Sequence, residues 1–264
     1  MISQAVLGLG GVGKSELALQ YAHRHRAEYR LVWWIDADDP EQIRSGLAAL
    51  ARALACGIDS VAAEQATAQE AAAWALSWLA THPGWLVIFD NVEEVSYVEP
   101  YLARLAHGRV LITTRRDIGW HHLNITSIRL ELLTRPAAIA LLADLIGPPD
   151  SADIHALEDL AEQLGDLPLA LTQASAYIAR TPRMSLTKYL DLVKTIPARM
   201  YAAAPPASDA ERVVAKVWSL SHARIQAINP LASHVLNVLA CFAPDNLPCA
   251  VLTGLHDADE LQVD

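Results

Sequence analysis

The chain has 264 residues, a net charge of −10 and a pI near 5.4, so it carries no basic footprint and direct nucleic-acid binding is not expected. Its length suffices for one large unit or two to three small ones, and an apolar content of 53%, much of it alanine, points to helix rather than membrane. Cys56, Cys241 and Cys249 form neither a C-x-x-C pair nor another metal-ligand spacing, and read as reduced, mostly buried thiols of a cytoplasmic protein.

Met1 leads at once into a strand-like run and a loop, which is not the pattern of a signal peptide. Ala5-Val6-Leu7 precedes "GLGGVGKSELAL", Gly8 to Leu19, and Ser15–His25 reads as a helix with Leu17, Ala18, Tyr21 and Ala22 on one face. Leu31–Ala37 is a strand. Asp39-Pro40-Glu41 starts a helix that runs to about Cys56, with Asp39 as N-cap and Pro40 at the first helical position. After a polar, Ala-rich stretch come a helix over Thr67–Leu79, a strand over Trp85–Asp90, a short helix over Glu99–Leu105, and strands over Arg109–Thr114 and Ile125–Leu132. Strands that read as continuous apolar runs and alternate with helices predict a mostly parallel sheet covered on both faces. Ala71–Phe89 holds no charged residue, but Pro83-Gly84 divides it into a helix end and a buried strand, so it is not a membrane span. The tryptophans 33, 34, 74, 78 and 85 fall on these faces and are expected in core or interdomain packing.

Beyond Leu133 the pattern is helical, with segments over 134–147, 151–165, 167–180 and 185–196, punctuated by Gly147-Pro148-Pro149, Gly165, Thr181-Pro182 and Pro197. "YAAAPPAS", Tyr201 to Ser208, reads as a linker followed by two more helices, and no internal repeat is visible. The expected division is an α/β nucleotide-binding domain over 1–133, a helical domain over 134–204 and a partial winged-helix segment over 205–264.

Gly8, Gly13, Lys14 and Ser15 fit G-x-x-x-x-G-K-[ST], in which bare backbone lets successive N–H groups wrap phosphate oxygens at the positive end of a helix. At average residue usage the pattern arises by chance in roughly one chain of this length in a hundred, and here it lies between a strand and a helix, as the chemistry requires. Lys14 is expected to reach the β- and γ-phosphates and Ser15 to place its hydroxyl on Mg²⁺. The candidate nucleotide contacts are Gly8, Gly10, Gly11, Val12, Gly13, Lys14, Ser15 and Glu16.

Metal-bound nucleotide also needs a carboxylate at a neighbouring strand end, and "LVIFDN" supplies Asp90 as a second candidate Mg²⁺ residue. Glu93 and Glu94 follow, either able to orient an attacking water or simply suited to a helix dipole. Asn91, an amide, cannot act as a base, which predicts slow hydrolysis. "LITTRR" ends in Thr113-Thr114-Arg115, hydroxyls and a guanidinium able to report a γ-phosphate, with Arg116 the alternative. "HRHR" at His23–Arg26 and the pair His121-His122 lack a third ligand at metal spacing; the former is the basic end of a helix.

Together with "LGDLPLAL", Leu164 to Leu171, these motifs resemble the NB-ARC branch of the signal-transduction ATPases with numerous domains. "LVWWIDADDPEQIRSGL" resembles the second strand and helix of bacterial and fungal members that carry helical repeats, and the likeness covers most of residues 4 to 180. The resemblance implies a P-loop NTPase switch that holds ADP in a closed monomer, exchanges it for ATP and then self-associates. It also implies that Pro168 packs against the adenine side of the nucleotide; proline at a helix start offers an apolar face with no N–H to satisfy. Adenine over guanine rests on this resemblance, since no N-K-x-D is present.

Two family features depart from the pattern. The family's upstream G-R-E segment is not expected within this sequence, which begins too late to contain it, and "LHDADE", Leu255 to Glu260, falls too soon after Leu247-Pro248 to be the family's Met-His-Asp motif, so His256 reads as a chance match. The chain is expected to stop inside the winged helix, without the lock that holds ADP or the sensor that releases it. The expected function is a regulatory ATP/ADP-binding module; the alternatives are a working P-loop ATPase or small-molecule kinase, for which the helical half shows no cluster of arginines, and a scaffold that binds no nucleotide.

Overall fold

The computed structural model describes residues 2–55, 66–105, 107–117, 119–147, 153–195 and 209–242. Five strands, β1 (Ile2–Leu7), β2 (Leu31–Asp36), β3 (Trp85–Val92), β4 (Arg109–Thr114) and β5 (Thr126–Arg129), form one sheet in the order β2-β3-β4-β1-β5. Every pairing is parallel. The β1–β4 register sets Val6 opposite Thr113 and Leu7 opposite Thr114. Between β3 and β4 the register shifts between Phe89 and Val92, where Asn91 takes a left-handed φ of 58°. All strands therefore end together, on the edge where the loop after β1 emerges.

Both faces of the sheet are covered, and the alternation along each strand decides which side chain goes where. Ala5, Leu7, Ile35, Val87, Phe89, Val110 and Ile112 pack with α2 (Pro40–Ala55), α3 (Ala68–Thr81) and α4 (Val95–Leu102) in the larger core. On the opposite face Val6, Leu86, Ile88 and Leu111 meet Ala18 and Ala22 of α1 (Lys14–Arg24). The cap expected at Asp39 is present: Asp39 Oδ1 accepts from the Glu41 and Gln42 amides at 2.7 and 2.9 Å. Thr67 and Glu70 form a reciprocal capping box at the start of α3.

Four expectations need correction. Leu17 is exposed, because a helix lying this close to the sheet turns its alanines inward and leaves the neighbouring leucine outside. Trp74 is exposed as well, whereas Trp85 is buried and donates its indole N–H to Leu79 O at 2.9 Å; Trp120 is a further buried tryptophan. Cys241 is exposed, not buried. The short helix expected over Glu99–Leu105 is α4 over Val95–Leu102, with Pro100 inside it.

A second core is wholly helical, built from α5 (Arg135–Ile146), α6 (Ile154–Gln163), α7 (Pro168–Arg180) and α8 (Leu186–Thr195). Val217 of α9 (Asp209–Ile228) joins it, and α10 (Pro230–Leu239) packs on α9. Residues 201–208, Cys56, Cys249, Leu247-Pro248 and His256 lie outside the described residues, so the linker and the winged-helix reading beyond α10 fall there too. Among the described residues no helix is long and apolar enough to cross a membrane, and no group of three or more His, Cys, Asp or Glu could hold a metal ion.

Tyr189 is fully buried in the helical core, and its hydroxyl finds no hydrogen-bond partner among the described residues. Burial pushes its pKa above the usual tyrosine value. A buried hydroxyl without a partner costs about 1–3 kcal/mol, so Tyr189→Phe is expected to raise stability by ~1 kcal/mol. Thermal unfolding would then shift up by about 2–4 °C; a downward shift would mean that the hydroxyl has a partner.

Candidate functional site

The loop from Gly8 to Gly13 carries the chain from the end of β1 into α1. Gly13 is the N-cap, with φ 99° and ψ 21°, and no side chain caps the helix. A Cβ at Gly13 would meet nothing within 4 Å, so it is the backbone angle, not crowding, that calls for glycine. The amides of the first helical turn are thus left aimed into the loop, where the helix dipole is positive. Val12 is buried beneath the loop, and Glu16 on the exposed side accepts from Gln20 at 2.8 Å.

Lys14 opens α1 yet is only 7% exposed. Its Nζ donates to Gly8 O at 2.9 Å and Leu9 O at 2.8 Å, which holds the ammonium across the loop. Burial lowers its pKa below that of an ordinary lysine, the Arg115 charge adds to the fall, and Asp90 opposes it. Next in sequence, Ser15 Oγ donates to Asp90 Oδ1 at 2.8 Å.

Asp90 stands on β3, two strands from the loop, with β4 between. The register shift lets β4 serve as the bridge: Thr113 Oγ1 donates to Asp90 Oδ1 and accepts from the Asn91 amide at 2.8 Å. The Asn91 side chain donates to Asp38 Oδ1 after β2. Thr114 Oγ1 donates to Val92 O at 2.7 Å. Both threonine hydroxyls are thereby spent on fixing the end of β3.

The two arginines after β4 diverge. Arg115 lies over Gly10, where a Cβ would come 3.6 Å from the guanidinium carbon, and its Nη1 is 3.7 Å from Glu211 Oε1 at the start of α9. Arg116 turns instead towards Glu93 and Glu94, at 3.9 and 4.0 Å. Glu93 is therefore near the strand end but paired with an arginine.

Pro168 begins α7, preceded by the turn Gly165-Asp166, both with positive φ. Arg135 clamps Asp166 in a two-pronged pair at 2.8 and 3.0 Å, fixing the entry to α7. The following amide, Leu169 N–H, donates to Gly11 O at 3.2 Å, and a Cβ at Gly11 would lie 3.1 Å from Leu169 Cβ. Beside this junction is a cavity of about 320 Å³ lined by Gly10, Gly11, Arg115, Leu169, Glu211 and Trp218.

Gly8–Ser15, Asp90, Arg115 and the start of α7 thus converge on one edge of the sheet. Glu211 and Trp218 join them without being signalled by any local motif, and Leu169 and Asp38 join from the stretches Leu164–Leu171 and Leu31–Leu47, where the sequence assigns them no individual role. Bare amides at a helix start, a lysine ammonium and an arginine on one side, and a hydroxyl–carboxylate pair on the other suit a polyphosphate and its divalent cation.

No protein-family model matches the chain. A nucleotide-binding leucine-rich repeat (NLR)-like protein of the fungus Hyaloscypha variabilis is 25% identical over 289 residues, covering 98% of this chain and 29% of that protein. The regulatory protein AfsR of Streptomyces coelicolor is 30% identical over 190 residues, covering 68% of this chain and 18% of that protein. Among solved structures, a signal transduction ATPase with numerous domains and a tetratricopeptide repeat sensor, from Pyrococcus horikoshii, aligns with a TM-score of 0.41 and 16% identity over 82% of this chain and 36% of that one. The chain spans less than a third of the length of either curated relative. The fungal match runs through sheet and helices alike, so that it reflects the whole arrangement and not one loop: the chain belongs to the NB-ARC type of P-loop NTPases, among the signal-transduction ATPases with numerous domains.

Proposed function

We propose that this chain is the regulatory nucleotide switch of a longer signalling protein, binding ADP and ATP with Mg²⁺ and turning ATP over slowly. The observation that carries this reading is the bond from Leu169 N–H to Gly11 O: the nucleotide loop and the helical unit share a junction, so what the loop holds bears directly on how the helices sit.

In this reading each site residue has a role. The amides of Gly10 to Ser15 and the Lys14 ammonium hold the phosphates, with Gly8 and Val12 supporting the loop and Glu16 beside it. Ser15 and Asp90 hold Mg²⁺, which when bound neutralises phosphate charge and fixes the phosphoryl groups. Arg115 faces the terminal phosphate, Glu93 is the candidate for orienting water, and Pro168 lies against the adenine side.

Two features support slow turnover. Asn91, directly after Asp90, is engaged with Asp38, and Glu93 is paired with Arg116. Sequence domains over 1–133, 134–204 and 205–264, cytoplasmic location, and self-association on activation of the full-length protein complete the proposal.

Nucleotide released from purified, denatured protein and identified by mass is the first test, with ADP expected. Steady-state hydrolysis with Mg²⁺ is the second, with turnover well below about 1 s⁻¹, the low end for working enzymes. Many turnovers per second would replace the switch by an active ATPase or kinase.

A further inference from the structure

Arg115 reaches from the end of β4 across Gly10, and a carboxylate of the helical half stands on its other side. Glu211 Oε1 lies 3.7 Å from Arg115 Nη1, and both side chains are about half exposed. The helix that carries Glu211 runs on beside the loop, where Val214, Ala215 and Trp218 line the same cavity of about 320 Å³ as Gly10 and Gly11. That volume has room for a phosphoryl group and is lined by the Arg115 guanidinium, while a second cation, the Lys14 ammonium, is held across the adjoining loop by Gly8 O and Leu9 O.

The lysine of such a loop reaches the β- and γ-phosphates, so the end of the phosphate chain falls where these cations stand. A diphosphate leaves Arg115 to Glu211. A triphosphate brings a further anion to the same guanidinium, on the side of a carboxylate that must then be repelled.

We infer that Glu211 sets the preference of the site for diphosphate over triphosphate, competing with the terminal phosphate for Arg115 and so tying the position of α9 to the number of phosphates bound. The inference rests on the proposed nucleotide switch and adds to it the residue that does the discriminating. Magnitudes favour a releasable contact. A half-exposed ion pair at this distance contributes little net stability, whereas a multiply charged phosphate is a stronger partner for guanidinium than a single carboxylate. α9 is also held lightly, with Val217 its only fully buried residue among those described.

The test compares Mg²⁺-ADP and a non-hydrolysable Mg²⁺-ATP analogue on the full chain by titration calorimetry. Glu211→Gln removes the charge from an exposed position while keeping the shape. It is expected to tighten binding of the triphosphate analogue about tenfold, within the usual range of coupling between sites, and to leave ADP affinity within about twofold. Trp218, 60% exposed at the same cavity, supplies a second readout. Its emission, taken as wild type minus Trp218→Phe, should change with the triphosphate analogue and not with ADP.

Equal shifts for both nucleotides, or no shift, overturn the role of Glu211 while the nucleotide switch stands. Wild-type protein that binds neither nucleotide overturns both.

Discussion

Replacing Lys14 by alanine is expected to weaken ADP binding at least about a hundredfold, because hydrogen bonds to a charged group each contribute about 1.5–3 kcal/mol and the ammonium supplies more than one. The same substitution touches the fold. Nζ donates to Gly8 O and Leu9 O, and its loss removes the donors of two loop carbonyls. Against this, burial and Arg115 both disfavour the charged lysine, so its removal also relieves a cost. The two effects oppose each other, and a stability change of about 1 kcal/mol is expected in place of unfolding. Lys14→Met loses the same donors and charge but keeps most of the buried stem, so it should match alanine in lost binding and unfold at or above the temperature of the alanine variant. Wild-type affinity in either variant would remove the loop from the site.

How far the sequence discloses this site depends on the range over which each part is determined. The loop is local: its glycines, lysine and serine are consecutive, and the angles of Gly13 are a property of one residue. Asp90 is local in kind, the first polar residue after four apolar ones. Its partners are not. That Thr113 meets it depends on β4 lying between β1 and β3 and on the register shift at Asn91, and neither strand order nor shift is written in the residues near Asp90. Arg115 and Arg116 look alike in sequence; only the docking of α9 places Glu211 beside the first, while Glu93 and Glu94 take the second.

The fold divides in the same way. Apolar runs bounded by Pro, Gly and Asp locate β2, β3 and β4 and the starts of α2, α3, α5 and α7, because caps and prolines act on their own helix end. Pro100 after Glu99 mimics such a start. The helix nevertheless begins at Val95, since burying Val98 and Leu102 together against the sheet outweighs the hydrogen bond that proline forgoes. Leu17 and Trp74 are exposed for the converse reason: helical periodicity says which residues share a face, and the neighbour's shape says how wide the buried stripe is.

Asp90→Asn is expected to weaken the Mg²⁺ dependence of nucleotide affinity without loosening the site. The amide oxygen can still accept from Ser15 Oγ and Thr113 Oγ1, and the bond from Ala37 N–H runs to the backbone carbonyl of residue 90 at 2.8 Å, so packing at the end of β3 is preserved. What is lost is one negative charge. Changes around a metal's ligands typically cost ten- to a hundredfold in metal affinity, and the tightening of ADP or ATP binding on adding Mg²⁺ should shrink by about that factor. Binding in EDTA should stay level or improve, because a carboxylate beside phosphates repels them. The Lys14 ammonium gives an independent signature. Asp90 holds its pKa up against burial and Arg115, so in the asparagine variant that pKa falls further. Phosphate binding needs the protonated amine, and the alkaline loss of affinity should therefore begin at lower pH in the variant than in wild type. An undiminished Mg²⁺ effect would take Asp90 out of the metal site, and an unmoved alkaline limb would separate its charge from Lys14.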